Sequence, residues 1–310
     1  MTEVARDIGS DDRAGPALSS SSLAWGLVRT ARPRQWVKNV IVVAAPGAAG
    51  ILTDAEVVLR TFVALAAFCL AASGTYFLND ATDIEADRLH PRKRTRPVAA
   101  GVVPVWLARV AGAVLLLGGV LAGASLNMRL GLIVGLYVIV TVAYSLWLKE
   151  VPIVEMAAVA SGFVLRAVAG GAAADVPISQ WFLIVASFGS LFIVAGKRSA
   201  EHLDMGGQRQ DHRRTLAAYS PGFLHYVRTL SSAVAIAAYC LWAFEKADVS
   251  NGPIWFQLSI LPFVLAIMAY ALRIDNGSGG APEEILLGDH TLLFMAAAWA
   301  TLFALGVYTA

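Results

Sequence analysis

Long apolar runs separated by polar joints organise this chain. Nine runs of roughly 17–24 residues lie near 37–53, 57–80, 104–126, 129–148, 153–173, 180–199, 222–244, 254–273 and 289–309. Each has the length an α-helix needs to cross about 30 Å of hydrocarbon. The pattern predicts an all-α, polytopic bundle of about nine transmembrane helices. The first run is the weakest, because Pro46 and Gly47 interrupt it; a proline is tolerated in a membrane helix where neighbours re-satisfy the freed backbone groups. Most joints are short, such as Ala174-Asp175-Val176-Pro177, but 81–103 and 200–221 are long. Long connections are disproportionately functional. Gly162, Gly170 and Gly171 would let neighbouring helices approach closely.

Composition agrees. Of 310 residues, 57% are apolar and only 15% charged, with mean hydropathy +0.65; soluble domains carry about 25% charged residues. Cys69 and Cys240 both lie inside apolar runs and suggest neither a disulfide framework nor a zinc site. The net charge of +2 says less than its distribution. Arg29, Arg32, Arg34 and Lys38 precede the first run, and Arg88, Arg92, Lys93, Arg94 and Arg96 follow the second. Lys149, Lys197, Arg198, Arg209, Arg213, Arg214 and Arg273 fall on the same side, whereas the opposite joints hold little more than Arg60, Arg129 and Lys246. By the positive-inside rule this predicts a plasma (inner) membrane protein with its N-terminus in the cytoplasm and its C-terminus outside. Residues 1–28 are expected to form a disordered cytoplasmic tail, and 29–310 a single transmembrane domain. The tail does not read as a signal peptide, since apolar sequence begins only near Val40.

Candidate chemistry gathers at the cytoplasmic ends. On one helix, Asp80, Asp83 and Asp87 share a face within an arc of roughly 60°, and Glu85 points the other way. Three carboxylates on one face repel each other unless a cation is present. Mg²⁺ suits them, as it prefers oxygen ligands and commonly combines one or two carboxylates with substrate phosphates. A second stretch, Lys197, Arg198, Glu201 and Asp204, offers cations for a phosphate and acids for hydroxyls or a metal; the plainer alternative is a helical salt bridge with snorkelling cations. Arg34 and Lys38, spaced i, i+4 beside Trp36, are candidates for an anionic headgroup, or a simple interfacial anchor. Glu155 and Arg166 lie inside one span, about 16 Å apart along a helix, so each needs another partner. An arginine near mid-membrane is a site hypothesis by default, with a packing role as the alternative. Tyr144 and Lys149 complete the rim. The ensemble describes a cytoplasm-facing polar cavity for a polyanion.

The stretch Asn79-Asp80-x-x-Asp83-x-x-x-Asp87, followed by Arg88 through Gly101, resembles the first aspartate-rich motif of the UbiA-type intramembrane prenyltransferase superfamily. The span layout resembles it too, over nearly all of residues 30–310. The resemblance implies a UbiA-like bundle in which Asn79, Asp80, Asp83 and Asp87 bind Mg²⁺ and a diphosphate. Typical members carry a second pair of aspartates where Lys197-Arg198-x-x-Glu201-x-x-Asp204 stands here. With Arg32 through Asn39 and Leu165 through Gly171, that departure is similar to the branch that moves 5-phosphoribose from phosphoribosyl diphosphate onto polyprenyl (decaprenyl) phosphate, towards cell-wall arabinan. Such a donor has a diphosphate at one end and a monophosphate at the other, which one metal–carboxylate site and one Lys/Arg site would serve. Arg34, Lys38 and Arg166 are then candidates for the lipid phosphate, Lys197 and Arg198 for the 5-phosphate, and Glu201 or Asp204 for ribose hydroxyls. Membrane lipid is an expected partner and nucleic acid is not; a homo-oligomer is left open. The rival readings are a prenyltransferase with a prenyl diphosphate donor and an aromatic acceptor, and an anion transporter.

Overall fold

The computed structural model describes residues 20–91, 93–204, 214–249, 254–277, 285 and 288–309, and among these it is helical with no strand. Among the described residues, eight helices are long and apolar enough to cross a membrane. They are α3 (Ala55–Thr82), α5 (Val105–Leu126), α6 (Met128–Leu146), α7 (Val154–Ala174), α8 (Gln180–Asp204), α10 (Pro221–Val249), α11 (Trp255–Asp275) and α12 (His290–Tyr308). Short helices α4 (Ile84–Leu89) and α9 (Arg214–Ala217) sit at their ends. Helix α1 (Ser20–Ala31) corrects the expected tail, because the chain is already helical within residues 20–28.

The first expected span is not an α-helix. Pro33–Val43 is a 3-10 helix, continued by the five-residue α2 (Ala44–Ala48). A 3-10 helix rises about 2.0 Å per residue, so eleven residues cover about 22 Å. With about 8 Å from α2 the element still has membrane length. Its backbone lies directly on α7: a Cβ on Gly170 would come within 1.8 Å of the Val42 carbonyl oxygen. Only glycine allows that approach, as the small-residue pattern around 162–171 anticipates. At the other end of the element, Gly50 at φ 73° abuts Val307 of α12.

Helix α5 shows why the bundle suits lipid. Its buried positions are Ala108, Gly112, Gly119 and Gly123, while Val110, Val114, Leu117 and Leu121 are exposed. Small residues let α5 lie against α3, and the large apolar ones form an outward stripe at helical spacing, the reverse of a water-soluble helix. Successive spans alternate in direction. The last turns of α3, α6, α8 and α11 therefore meet the first turns of α7, α10 and α12 at one end of the bundle. Ion pairs tie this end together: Arg228 of α10 to Asp275 of α11 at 2.6 Å, and Arg273 of α11 to Asp289, which also caps α12.

Candidate active site

Asp80 occupies the last turn of α3, and Asp87 lies in α4. The chain between them is not one uninterrupted helix, as the spacing argument assumed. Asp83, at φ −91° and ψ 15°, ends α3 and begins α4. The i to i+4 bonding nevertheless persists across the joint: the Asp83 N–H donates to the Asn79 carbonyl (2.9 Å) and the Asp87 N–H to the Asp83 carbonyl (2.8 Å). Only part of the expected facing is kept: Asp80 and Asp87 share the buried side, and Asp83 does not join them. Asp80 and Asp87 are buried and Glu85 is exposed. Asp83 is partly exposed and lies 3.6 Å from Lys149 Nζ.

Two arginines close over the buried pair. Arg96 Nη1 donates to Asp87 Oδ2 (2.7 Å) and Asp80 Oδ1 (3.2 Å), and Arg32 Nη2 donates to the same Asp80 oxygen (2.6 Å). The arginine side chains are each 29% exposed against 2–3% for the aspartates, so the acids meet the outside through them. Arg32 also lies over the Tyr76 ring at 4.6 Å. Its backbone is left-handed (φ 52°, ψ 61°), a conformation that costs roughly 1–2 kcal/mol for a residue with a Cβ. Sequence reasoning assigned neither arginine a role. The available signal was that each precedes a proline, Pro33 and Pro97, which disfavours the α region for the residue before it and marks a break in helix.

The carboxylates fit a hard divalent ion in chemistry: they are oxygen donors, and two of them already share one cationic position. In this conformation that position is taken by Arg96. Among the described residues no three acids form a ready metal cluster, because Asp83 turns towards Lys149.

The 3-10 helix changes the register of the first basic stretch. At three residues per turn, Arg32, Gln35 and Lys38 align, not Arg34 and Lys38. Lys38 donates to Gln35 Oε1 (2.6 Å), while Arg34 is exposed on another face. Asn39 and Val42 point inward instead; Trp36 is exposed, but its indole N–H donates to Ser73 on α3, whose hydroxyl in turn donates to the Ala31 carbonyl.

The second stretch is rearranged more deeply. Arg198 is buried, and all three of its guanidinium nitrogens are used by protein groups. Nε and Nη2 bind Glu155 (2.8 and 2.6 Å), Nη1 binds Glu201 (2.5 Å), and Nη2 reaches the Tyr144 hydroxyl (3.3 Å). Expected to hold a phosphate, it instead solves the problem of the membrane-level Glu155. Lys197 is exposed, 3.9 Å from Glu201. The Asp204 side chain lies outside the described residues, as do Arg92, Arg209 and Arg213. Tyr219, just before α10, extends the network: it accepts from the Ile153 N–H (2.7 Å) and donates to Glu155 Oε1 (3.3 Å). Burial pushes its phenol pKa up, which keeps it a donor. Ile153 has φ 70°, a costly conformation for a β-branched residue, and the Tyr219 bond holds it there.

Arg166 is likewise saturated. It donates to Asn39 Oδ1 (2.7 Å), the Gly162 carbonyl (2.7 Å) and the Tyr137 hydroxyl (2.8 Å), among the rings of Phe68, Tyr137 and Phe163. It joins the 3-10 helix, α6 and α7.

Membrane-length helices carry a buried acid–arginine site at one end. The profile of the UbiA prenyltransferase family matches residues 40–298, and the chain belongs to that family. It is a multi-pass membrane transferase. A decaprenyl-phosphate phosphoribosyltransferase of Corynebacterium glutamicum is 43% identical over 293 residues, covering 93% of this chain and 88% of its own. The protein of that name from Mycolicibacterium smegmatis is 42% identical, covering 95% of each chain; the Mycobacterium tuberculosis one is 44% identical, covering 90% and 93%. In fold the chain is similar to a UbiA homolog from Archaeoglobus fulgidus bound to DMAPP and Mg²⁺, with TM-score 0.71, 16% identity, and coverage of 92% and 99%.

Proposed function

We propose that this protein transfers 5-phosphoribose from phosphoribosyl diphosphate to a polyprenyl phosphate, decaprenyl phosphate by analogy with its relatives, and releases diphosphate. The observation that carries the reading is the buried Asp80–Asp87 pair under two partly exposed arginines. This is a place where a diphosphate finds both cations and metal-binding oxygens. Support for phosphoribose as the group transferred comes from relatives that match over nearly their whole length and from Lys197 standing at the second stretch.

Asp80, Asp87 and Asp83 would hold Mg²⁺, which supplies a counter-charge to the leaving diphosphate. Arg32 and Arg96 donate to the diphosphate oxygens, where negative charge grows as the C1–O bond breaks. Lys149, beside Asp83, adds a further cation. The diphosphate leaves with the bonding electron pair, and C1 of the ribose gains oxocarbenium character as at other glycosyl centres. A phosphate oxygen of the lipid attacks the opposite face, forming the new C1–O bond with inversion. The second pKa of such a phosphate is about 6, so the nucleophile is already ionised and needs no general base. Lys197 would meet the 5-phosphate, and Glu201 the ribose hydroxyls. Arg198 acts through them, by holding Glu155 and Glu201. Arg166 serves packing. Lys38, in line with Arg32, faces the lipid phosphate.

The Lys/Arg asymmetry supports a cytoplasmic site end, where a soluble sugar phosphate would have access, and the product would feed cell-wall arabinan synthesis. The test is the purified protein with labelled phosphoribosyl diphosphate and decaprenyl phosphate. Label should enter the lipid fraction with Mg²⁺ and stay out of it with a chelator. Turnover of a prenyl diphosphate with an aromatic acceptor, and none of phosphoribosyl diphosphate, would overturn the reading.

A further inference from the structure

Arg96 stands between Asp80 and Asp87, two of the carboxylates that would hold a metal ion. Its Nη1 lies within hydrogen-bond distance of both carboxylates, and Arg32 donates to the same Asp80 oxygen as Arg96. Two acids and two guanidiniums leave the cluster without net charge. A divalent cation arriving alone meets one oxygen of each carboxylate already paired with a guanidinium, and two positive groups at contact distance, which repel it. A diphosphate changes this. It offers the arginines planar, bidentate, charge-assisted bonds, and in turning to it they uncover the carboxylates.

We infer that Arg32 and Arg96 are diphosphate-binding residues that guard the carboxylates until a diphosphate arrives, so that metal and diphosphate enter only together. The inference rests on the proposed metal–diphosphate site, but not on which donor carries the diphosphate. The exchange needs little reach. Both guanidiniums already lie at the exposed surface of the cluster. The corner at Arg32 is held by the stack on Tyr76 and by the bonds that Ser73 makes to Trp36 and Ala31. Its function would be to stop the cell's free Mg²⁺ from trapping the donor-free enzyme, and to make binding of the two ligands reciprocal.

The test uses Mn²⁺ as the probe, with protein-bound Mn²⁺ read by electron paramagnetic resonance at fixed free Mn²⁺, with and without inorganic diphosphate. The wild-type protein should bind Mn²⁺ weakly alone and about 5–150-fold more tightly with diphosphate, the usual range of coupling between sites. Arg96→Gln should bind Mn²⁺ alone more tightly than the wild type and gain less from diphosphate. Equal wild-type affinity with and without diphosphate overturns the inference, and that measurement needs no variant. So does a folded Arg96→Gln whose Mn²⁺ affinity matches the wild type in both states. Phosphoribosyl transfer without coupling would remove this inference alone; coupling without phosphoribosyl transfer would remove the proposed donor alone.

Discussion

Glu155 and Arg198, 43 residues apart in sequence, form a two-point ion pair at 2.6 and 2.8 Å with both side chains buried. Removing one partner of a buried pair leaves a charge without compensation and costs about 3–5 kcal/mol. Glu155→Gln and Arg198→Met should each lower the unfolding temperature of the detergent-solubilised protein substantially. The double variant Glu155→Leu/Arg198→Met should recover much of the loss. A Glu155→Gln protein as stable as the wild type would show that the pair does not bind α7 to α8.

Tyr219 holds the same network from the far side of the long 200–221 connection. Tyr219→Phe removes the acceptor for the Ile153 N–H and the donor to Glu155, a loss of about 1–3 kcal/mol for a buried group left unpaired. Because its pKa is raised in the folded state, chiefly by burial, it favours folding below the ordinary phenol value of about 10, and that contribution fades as pH rises through the higher folded value. Denaturation followed across alkaline pH should show this loss in the wild type and a flatter profile in Tyr219→Phe.

The bundle was legible in the sequence because apolar run length is set by membrane thickness alone. Eight of the nine expected runs are continuous helices with ends within a few residues of those expected. The exception is the run holding Pro46, whose 3-10 geometry depends on close packing against Gly170, a contact no periodicity reports. The facing of Asp80, Asp87 and Glu85 was legible from local spacing. The partners of Glu155, Arg166 and Asp80 were not, because most of them come from distant segments of the chain. Sequence showed only that Glu155 and Arg166 needed partners elsewhere.

The register of the first basic stretch separates the two geometries directly. If Pro33–Val43 is a 3-10 helix, Arg32→Ala should lower turnover by one to two decades, the value of a charge-assisted bond of about 1.5–3 kcal/mol. Arg34→Ala should change it little. Steady-state kinetics giving the opposite order would restore the α-helical register.

Arg166 tests packing against ligand binding. Its nitrogens all serve the 3-10 helix, α6 and α7. Arg166→Met should therefore lower thermal stability and the yield of folded protein, while the KM for polyprenyl phosphate in the folded fraction stays near the wild-type value. A raised KM at unchanged stability would make Arg166 a phosphate ligand.

The central claim is that the ribose and its 5-phosphate move together while the diphosphate leaves. It is tested by two donors, one carrying ³²P in the 5-phosphate and one carrying it in the terminal phosphate of the diphosphate, each given to the purified protein with decaprenyl phosphate and Mg²⁺. The account predicts that the first label appears in the lipid and the second only in free diphosphate. Label from the diphosphate in the lipid, or from neither donor, would contradict it.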